Sequence, residues 1–276
     1  MRTKLIPLAI ALVAMTTGCV RPERTEVEIS RTWPSTGIEE LRISGTNGRI
    51  EIVADPSATE ITMHAKARVA GDLKEDEILD IAINGHTLAV EEIESSGKKF
   101  RIFGPEKQID FEFRVPGHIR LDANNVNGRI EVDGVDARMD LTTVNGGIEV
   151  TTPGGELVAR TINGSVRADF LEAFPGAKLK TVNGSVRVRV PRNSTVSPDV
   201  RSVNGSFRSD IPVRINAGHD EGRLQVVTVN GSVTLSEFDH LGVRAPEAPV
   251  MPEVPTAPAP VAPAAPPAPP APPTSV

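Results

Sequence analysis

Glu131, Asp133, Asp136 and Asp140 lie within ten consecutive positions, a density at which paired carboxylates could do acid–base work or hold calcium. Such chemistry needs the carboxylates on one face of neighbouring strands, often beside an arginine. Here the Asp133-Gly134 and Asp136-Ala137 steps fall where a chain must turn, and Asp is favoured in turns by its own local hydrogen bonds. The turn reading therefore prevails, and the calcium-binding GGxGxD nonapeptide is absent. The five histidines, His64, His86, His118, His219 and His240, are far apart and share neither the helical i, i+4 spacing nor the short-loop spacing of a zinc site. No GxSxG nucleophile turn occurs, and the recurring Asn-Gly-Ser triplet is a repeat element. One Trp and no Tyr leave little aromatic surface on which sugars could stack. These residues predict a protein that is not an enzyme and that carries neither metal nor cofactor.

What does recur is a template. The segments 41–52 (LRISGTNGRIEI), 121–132 (LDANNVNGRIEV), 141–150 (LTTVNGGIEV), 159–168 (ARTINGSVRA), 179–188 (LKTVNGSVRV), 200–209 (VRSVNGSFRS) and 226–235 (VVTVNGSVTL) align as apolar-x-Thr-Val-Asn-Gly-x-apolar-x-apolar. A period near twenty residues accommodates two short strands and two turns, which is one coil of a β-solenoid. The lengthened steps hold turn-type insertions at 174–176, 191–193 and 216–218, opposite the Asn-Gly corner. An Asn-Gly pair between alternating strands is also a hairpin signal, so an array of antiparallel hairpins competes with the solenoid. The fixed period favours the solenoid, because identical residues recurring once per coil stack into ladders. The expected corners are Asn127-Gly128, Asn145-Gly146, Asn163-Gly164, Asn183-Gly184, Asn204-Gly205 and Asn230-Gly231, with glycines in conformations costly for other residues.

Two columns follow from the template. If Thr143 and Asn145 point inward, Val144 points outward, and so do Val126, Ile162, Val182, Val203 and Val229. Such a stripe is either an interaction surface or, as is usual for a large apolar patch, a seam covered by another layer of the same chain. The second column runs Glu51, Glu131, Glu149, Arg167, Arg187 and Arg208. Residues 119–157 hold three basic and seven acidic side chains, whereas 158–214 hold ten basic and four acidic ones. Arg167, Arg187 and Arg208, expected on three successive coils, form a candidate anion-binding strip facing an acidic envelope polysaccharide or a protein partner.

The ends of the chain say where this body works. Residues 1–18 read as an export signal, with Arg2 and Lys4, an apolar run from Leu5 to Met15 and a small-residue end, too short to span a bilayer. Cys19, the sole cysteine, follows Thr16-Thr17-Gly18 in a pattern that resembles the lipobox of bacterial lipoproteins, although Thr16 stands where Leu is usual. That resemblance implies lipidation of Cys19 and a membrane partner through the lipid. Removing residues 1–18 takes the formal net charge from −6 to −8, which disfavours nucleic acid. Residues 19–23 form a short linker after the anchor.

Residues 24–118 are β-patterned but irregular, with strands expected at 24–32, 38–44, 49–53, 60–68, 86–93, 100–103 and 109–115 and a short helix over 73–79. Trp33, Phe100, Phe103, Phe111 and Phe113 fall here, suited to a cap that covers the open end of the regular coils of 119–240. Residues 241–276 form a Pro/Ala-rich tail, with thirteen Pro and nine Ala in 245–276, which cannot build a core and is expected to be disordered and extended.

The NGxIxV coils, together with Phe113-Arg114-Val115-Pro116 before the regular array, resemble the bacterial DUF4097 family of "putative adhesins" with a β-helical repeat. The resemblance covers residues 38–238 and implies surface display, with no shared catalytic residues. Altogether the expectation is an all-β lipoprotein of the cell envelope, a non-catalytic scaffold or adhesin-like binding module. A β-helical enzyme acting on envelope polysaccharide and a self-assembling polymer are the alternatives.

Overall fold

The computed structural model describes residues 24–70, 73–93, 107–192, 194, 196–211 and 222–238. The leader, Cys19, Phe100, Phe103, His219, His240, the 100–103 strand, the insertion at 216–218 and the Pro/Ala-rich tail lie outside them. All of the described residues belong to one compact unit.

Alternating apolar and polar residues make strands with one buried face, and the fold is all-β. In chain order the strands are β1 (Arg24–Pro34), β2 (Glu40–Ser44), β3 (Ile50–Ala54), β4 (Glu60–Ala70), β5 (Leu79–Asn84), β6 (Thr87–Glu92), β7 (Gln108–Val115), β8 (Arg120–Asn127), β9 (Ile130–Asp133) and β10 (Met139–Asn145). They continue as β11 (Ile148–Thr151), β12 (Leu157–Thr161), β13 (Val166–Asp169), β14 (Ala177–Lys180), β15 (Val186–Pro191), β16 (Ser197–Asn204), β17 (Phe207–Ser209), β18 (Arg223–Asn230) and β19 (Val233–Phe238). The one helix among the described residues, α1, spans only Glu75–Ile78. The expected helix over 73–79 is shorter than its acidic run suggested, because Leu79 already begins β5, paired antiparallel to β6.

Two sheets result. One runs β1-β4-β7-β3-β9-β11-β13-β15-β19-β17 and the other β16-β18-β14-β12-β10-β8-β2-β6-β5. Each template segment supplies one strand to each sheet, and equivalent strands pair in parallel, as Leu141 with Ala159 and Val150 with Ala168 show. The Asn-Gly pairs thus carry the chain from one sheet to the other and do not close hairpins between adjacent antiparallel strands. Antiparallel pairing is confined to β1-β4-β7 and β5-β6. One apolar cluster fills the space between the sheets, from Leu41, Ile43, Ile50 and Ile52 through Leu141, Val150 and Val188 to Val226 and Leu235.

The spatial order of repeats departs from the chain order at both ends. The 41–52 segment stacks directly on the 121–132 segment, with β6 and β7 outside it. At the other end β18 and β19, the last strands in the chain, insert between β14/β15 and β16/β17, so the 200–209 repeat is outermost.

Candidate binding surfaces

The corner explains the template residue by residue. Thr143, Thr161 and Thr181 are buried and donate through Oγ1 to the carbonyls of Gly128 (3.1 Å), Gly146 (2.9 Å) and Gly164 (2.9 Å) of the preceding repeat. Asn125 takes the Thr place one repeat earlier and donates its Nδ2 to the Gly48 carbonyl at 2.8 Å. The Asn that follows does not point inward as Thr does. Asn145 is exposed, because the chain leaves the strand alternation at Val144 on its way round the corner.

The exposed amides form one continuous hydrogen-bonded ladder. Asn127 donates to Asn47, Asn145 to Asn127, Asn163 to Asn145, Asn183 to Asn163 and Asn230 to Asn183, each Nδ2–Oδ1 distance being 2.8 Å. Asn204 closes the series on Asn230 at 3.0 Å. The corner glycines owe their place to close approach more than to backbone dihedrals. A Cβ on Gly164 would stand 1.9 Å from the Gly146 carbonyl oxygen, the very atom that accepts from Thr161.

Beyond the corner, the outer face of the first sheet carries the charged column. Register aligns Glu112, Glu51, Glu131, Glu149, Arg167, Arg187, Thr234 and Arg208 across β7, β3, β9, β11, β13, β15, β19 and β17. Arg187 and Arg208 are therefore not on adjacent strands, as the chain order suggested, because the inserted β19 puts Thr234 between them. The stacked glutamates are relieved by arginines two positions earlier in the template or on the next strand. Arg49 reaches Glu51 at 2.9 Å and Glu131 at 3.6 Å, Arg129 reaches Glu131 at 3.2 Å, and Arg167 reaches Glu149 at 3.7 Å.

Arg167 is further committed to the buried Asp169 at 3.0 Å. Arg189 also holds Asp169 and lies 3.9 Å over the Phe238 ring. Arg187 and Arg208 are different. Both are exposed, and among the described residues no ion pair or hydrogen bond engages either one. They flank Thr234 beside an exposed row of hydroxyls from Ser185, Ser232 and Ser206. The sequence strip of three arginines thus reduces to two uncommitted ones on a hydroxyl-lined surface.

The Val column is not covered as a seam would be. Val126, Ile162 and Val203 are 39%, 45% and 74% exposed, and Val144, Val182 and Val229 are half-buried. In space the row reads Val126, Val144, Ile162, Val182, Val229, Val203, beside the amide ladder.

Of the acidic candidates Glu131 joins the glutamate row of β7, β3, β9 and β11, and among the described residues no cluster of three or more His, Cys, Asp or Glu could hold a metal ion. Gly134, after Asp133, has φ +73, as the turn reading requires. One pairing escaped the sequence reading. Ser30 Oγ lies 2.8 Å from His64 Nδ1 across β1 and β4, and register sets Glu112 beside His64 on β7. Nothing in the spacing of residues 30, 64 and 112 signals that row, which depends on the antiparallel register. Ser30 is exposed, and the Glu112 carboxylate lies 3.9 Å from Arg49, so the row lacks the buried carboxylate that orients a catalytic imidazole. Ion pairs elsewhere brace the outer faces. Lys178 donates to Glu156 at 2.7 Å and holds its carboxyl below the usual range, while Ser57 does the same for Asp55 through its hydroxyl and N–H.

Three similar solved structures are described in these terms. A "putative cell adhesion protein" from Clostridium sporogenes ATCC 15579 is 10% identical, covering 78% of this chain and 100% of its own, at a TM-score of 0.42. A "putative adhesin" from Bacteroides fragilis NCTC 9343 is 12% identical, covering 77% and 97%, at 0.41. A "putative lipid binding protein" from Parabacteroides distasonis ATCC 8503 is 12% identical, covering 80% and 98%, at 0.34. No curated protein matches the chain. The profile of Toastrack DUF4097 matches residues 14–236, and with that span covering most of its length the chain belongs to the Toastrack DUF4097 family.

Proposed function

We propose that the protein is a non-catalytic binding module of the bacterial cell envelope, anchored by a lipid on Cys19, whose body is a two-sheet β-solenoid presenting a face for acidic glycans. The observation that carries the reading is the pair Arg187 and Arg208. They share one outward template position, are separated by two strand spacings or about 9–10 Å, and have no carboxylate partner among the described residues, while Arg49, Arg129, Arg167 and Arg189 are all engaged. A guanidinium fork matches carboxylate and sulfate groups, and the serine hydroxyls beside it suit a polyhydroxylated chain.

The test is retention of the protein on immobilised polygalacturonate, with dextran as the uncharged control. Binding at low ionic strength that fades as salt rises is expected, because exposed contacts are screened. Arg187→Glu combined with Arg208→Glu abolishes retention while leaving the unfolding transition in place. A wild-type protein that passes unretained through every acidic column at low salt refutes the reading.

A further inference from the structure

The exposed corner row lies on the surface between two rows of cations. On the second sheet the outward residues two positions before Ile162, Val182 and Val203 are Arg160, Lys180 and Arg201. On the first sheet, past the serine row, stand Arg167, Arg187 and Arg208. In the four repeats that hold Ile162, Val182, Val229 and Val203, these two flanking rows therefore contain six cations and no acid. The acids lie one row further out, where Asp140 holds Arg160 at 2.6 Å and Asp199 approaches Arg201 at 3.4 Å, whereas Lys180 has no such partner among the described residues.

We infer that the aliphatic row from Ile162 to Val203, with its flanking cations, is a docking surface for an anionic lipid membrane, whereas Val126 and Val144, beside Glu131 and Glu149, lie outside it. An exposed apolar strip between basic rows is the pattern by which surfaces settle into the interface of negatively charged bilayers, aliphatic groups entering the acyl boundary while the cations stay among the headgroups. Four positions at about 4.8 Å make a contact line of roughly 14 Å. The neighbouring polar groups tolerate such a setting, since the amides of Asn127, Asn145, Asn163, Asn183, Asn230 and Asn204 already satisfy one another along the ladder. Aliphatic branches offer neither hydrogen bonds nor stacking to sugars, so this row suits a different ligand, although Arg187 and Arg208 border both surfaces. The inference goes beyond the glycan reading and does not depend on it.

The experiment uses the full chain. With Cys19→Ser the protein has no thiol, so Ile162→Cys adds a single one for a polarity-sensitive dye on the row, and Glu172→Cys does so at an exposed site away from the corner. Vesicles of phosphatidylglycerol mixed with phosphatidylcholine are compared with vesicles of phosphatidylcholine alone. Every variant carries the same residues 1–23, so the readout is the difference between dye positions and between lipids. A blue shift at position 162 with the anionic vesicles only, and none at 172, is expected. Lys180→Glu should weaken the anionic-vesicle response about fivefold or more while leaving polygalacturonate retention in place. No shift at 162 on anionic vesicles, or an equal shift at 172, overturns the inference. So does a shift at 162 produced by polygalacturonate or by raised protein concentration without vesicles, which would assign the row to glycan or to a second copy.

Discussion

Gly164→Ala adds a single methyl group at the place where two repeats come closest. That Cβ would stand 1.9 Å from the Gly146 carbonyl oxygen and 2.5 Å from its carbon, against ordinary contact near 3.5 Å. Neither atom is on a flexible side chain, so the two corners must separate. Separation disrupts the Thr161 Oγ1 bond to Gly146 (2.9 Å) and the Asn163–Asn145 amide bond (2.8 Å). Each such bond contributes about 0.5–1.5 kcal/mol net, and forcing excess volume into a close-packed place costs about 1–3 kcal/mol. A loss of about 4 kcal/mol follows. At about 2–4 °C per kcal/mol for a folded body of this size, the melting temperature should fall by roughly 10 °C. Ser165→Ala, one residue on, is the control. Ser165 is exposed and bonded only to the Ser185 hydroxyl at 3.2 Å, so its loss should stay within about 0.5 kcal/mol. Thermal and urea unfolding of both variants would decide the matter, and a Gly164→Ala protein melting within about 2 °C of the wild type would refute the close-approach account of the corner.

Asn163→Ala removes the amide that donates to Asn145 and accepts from Asn183, so a loss of about 1–2 kcal/mol in urea unfolding is expected, with measurable coupling to Asn145→Ala in a double-mutant cycle. Lys178→Ala should let the depressed Glu156 carboxyl rise toward its ordinary pKa, as NMR titration would show; a depressed acid lends stability above its unfolded pKa that fades as pH falls through the folded one, so the variant should lose less stability on acidification. Cys19→Ser should release the protein from membranes or leave it unprocessed, and unchanged detergent partitioning would remove the lipid anchor from the proposal.

The architecture was legible because its signal is repetitive. Residues such as Leu141, Thr143, Ile148 and Val150 recur with one inward side, and recurrence at a fixed period requires equivalent residues to stack. Thr143 could be assigned inward by alternation alone, but Asn145 could not, since the corner interrupts the alternation between them. The glycines were recognisable as obligatory, yet their reason was not: a dihedral preference can be inferred from a turn, whereas the approach of Gly146 to Gly164 exists only once two repeats are stacked. Likewise the Ser30–His64 contact arises from an antiparallel register with no local pattern. Which arginines are committed was beyond the sequence for the same reason. Asp169 captures Arg167 and Arg189 from within β13 and from β15, and no spacing rule distinguishes them from Arg187.

The order of the last two repeats is instructive because it was written in the residues, though in their core positions and not in their period. Val226, Thr228, Val233 and Leu235 fill the four inward places of one repeat and are all buried. The preceding repeat offers Val200, Ser202, Phe207 and Ser209 for the same places, and none of the four is buried. Two serines where the repeats from 141 to 188 carry threonine and aliphatic side chains, with an exposed Phe207 between them, leave this repeat with little core to share, so the 200–209 repeat belongs at an end and the 226–235 repeat inside. Its outer edge agrees with that position. Ser197 N–H bonds inward to Gly222 at 2.9 Å, so strand alternation turns the nitrogen of Pro198 outward, where it has no proton to give another strand. Arg201 adds a charged side chain to the same edge strand. Proline and charge on an open edge hinder edge-to-edge pairing, so continued stacking of copies through β16 is disfavoured. The surfaces left for partners are then the outer faces, the paired arginines on one sheet and the aliphatic row along the corner.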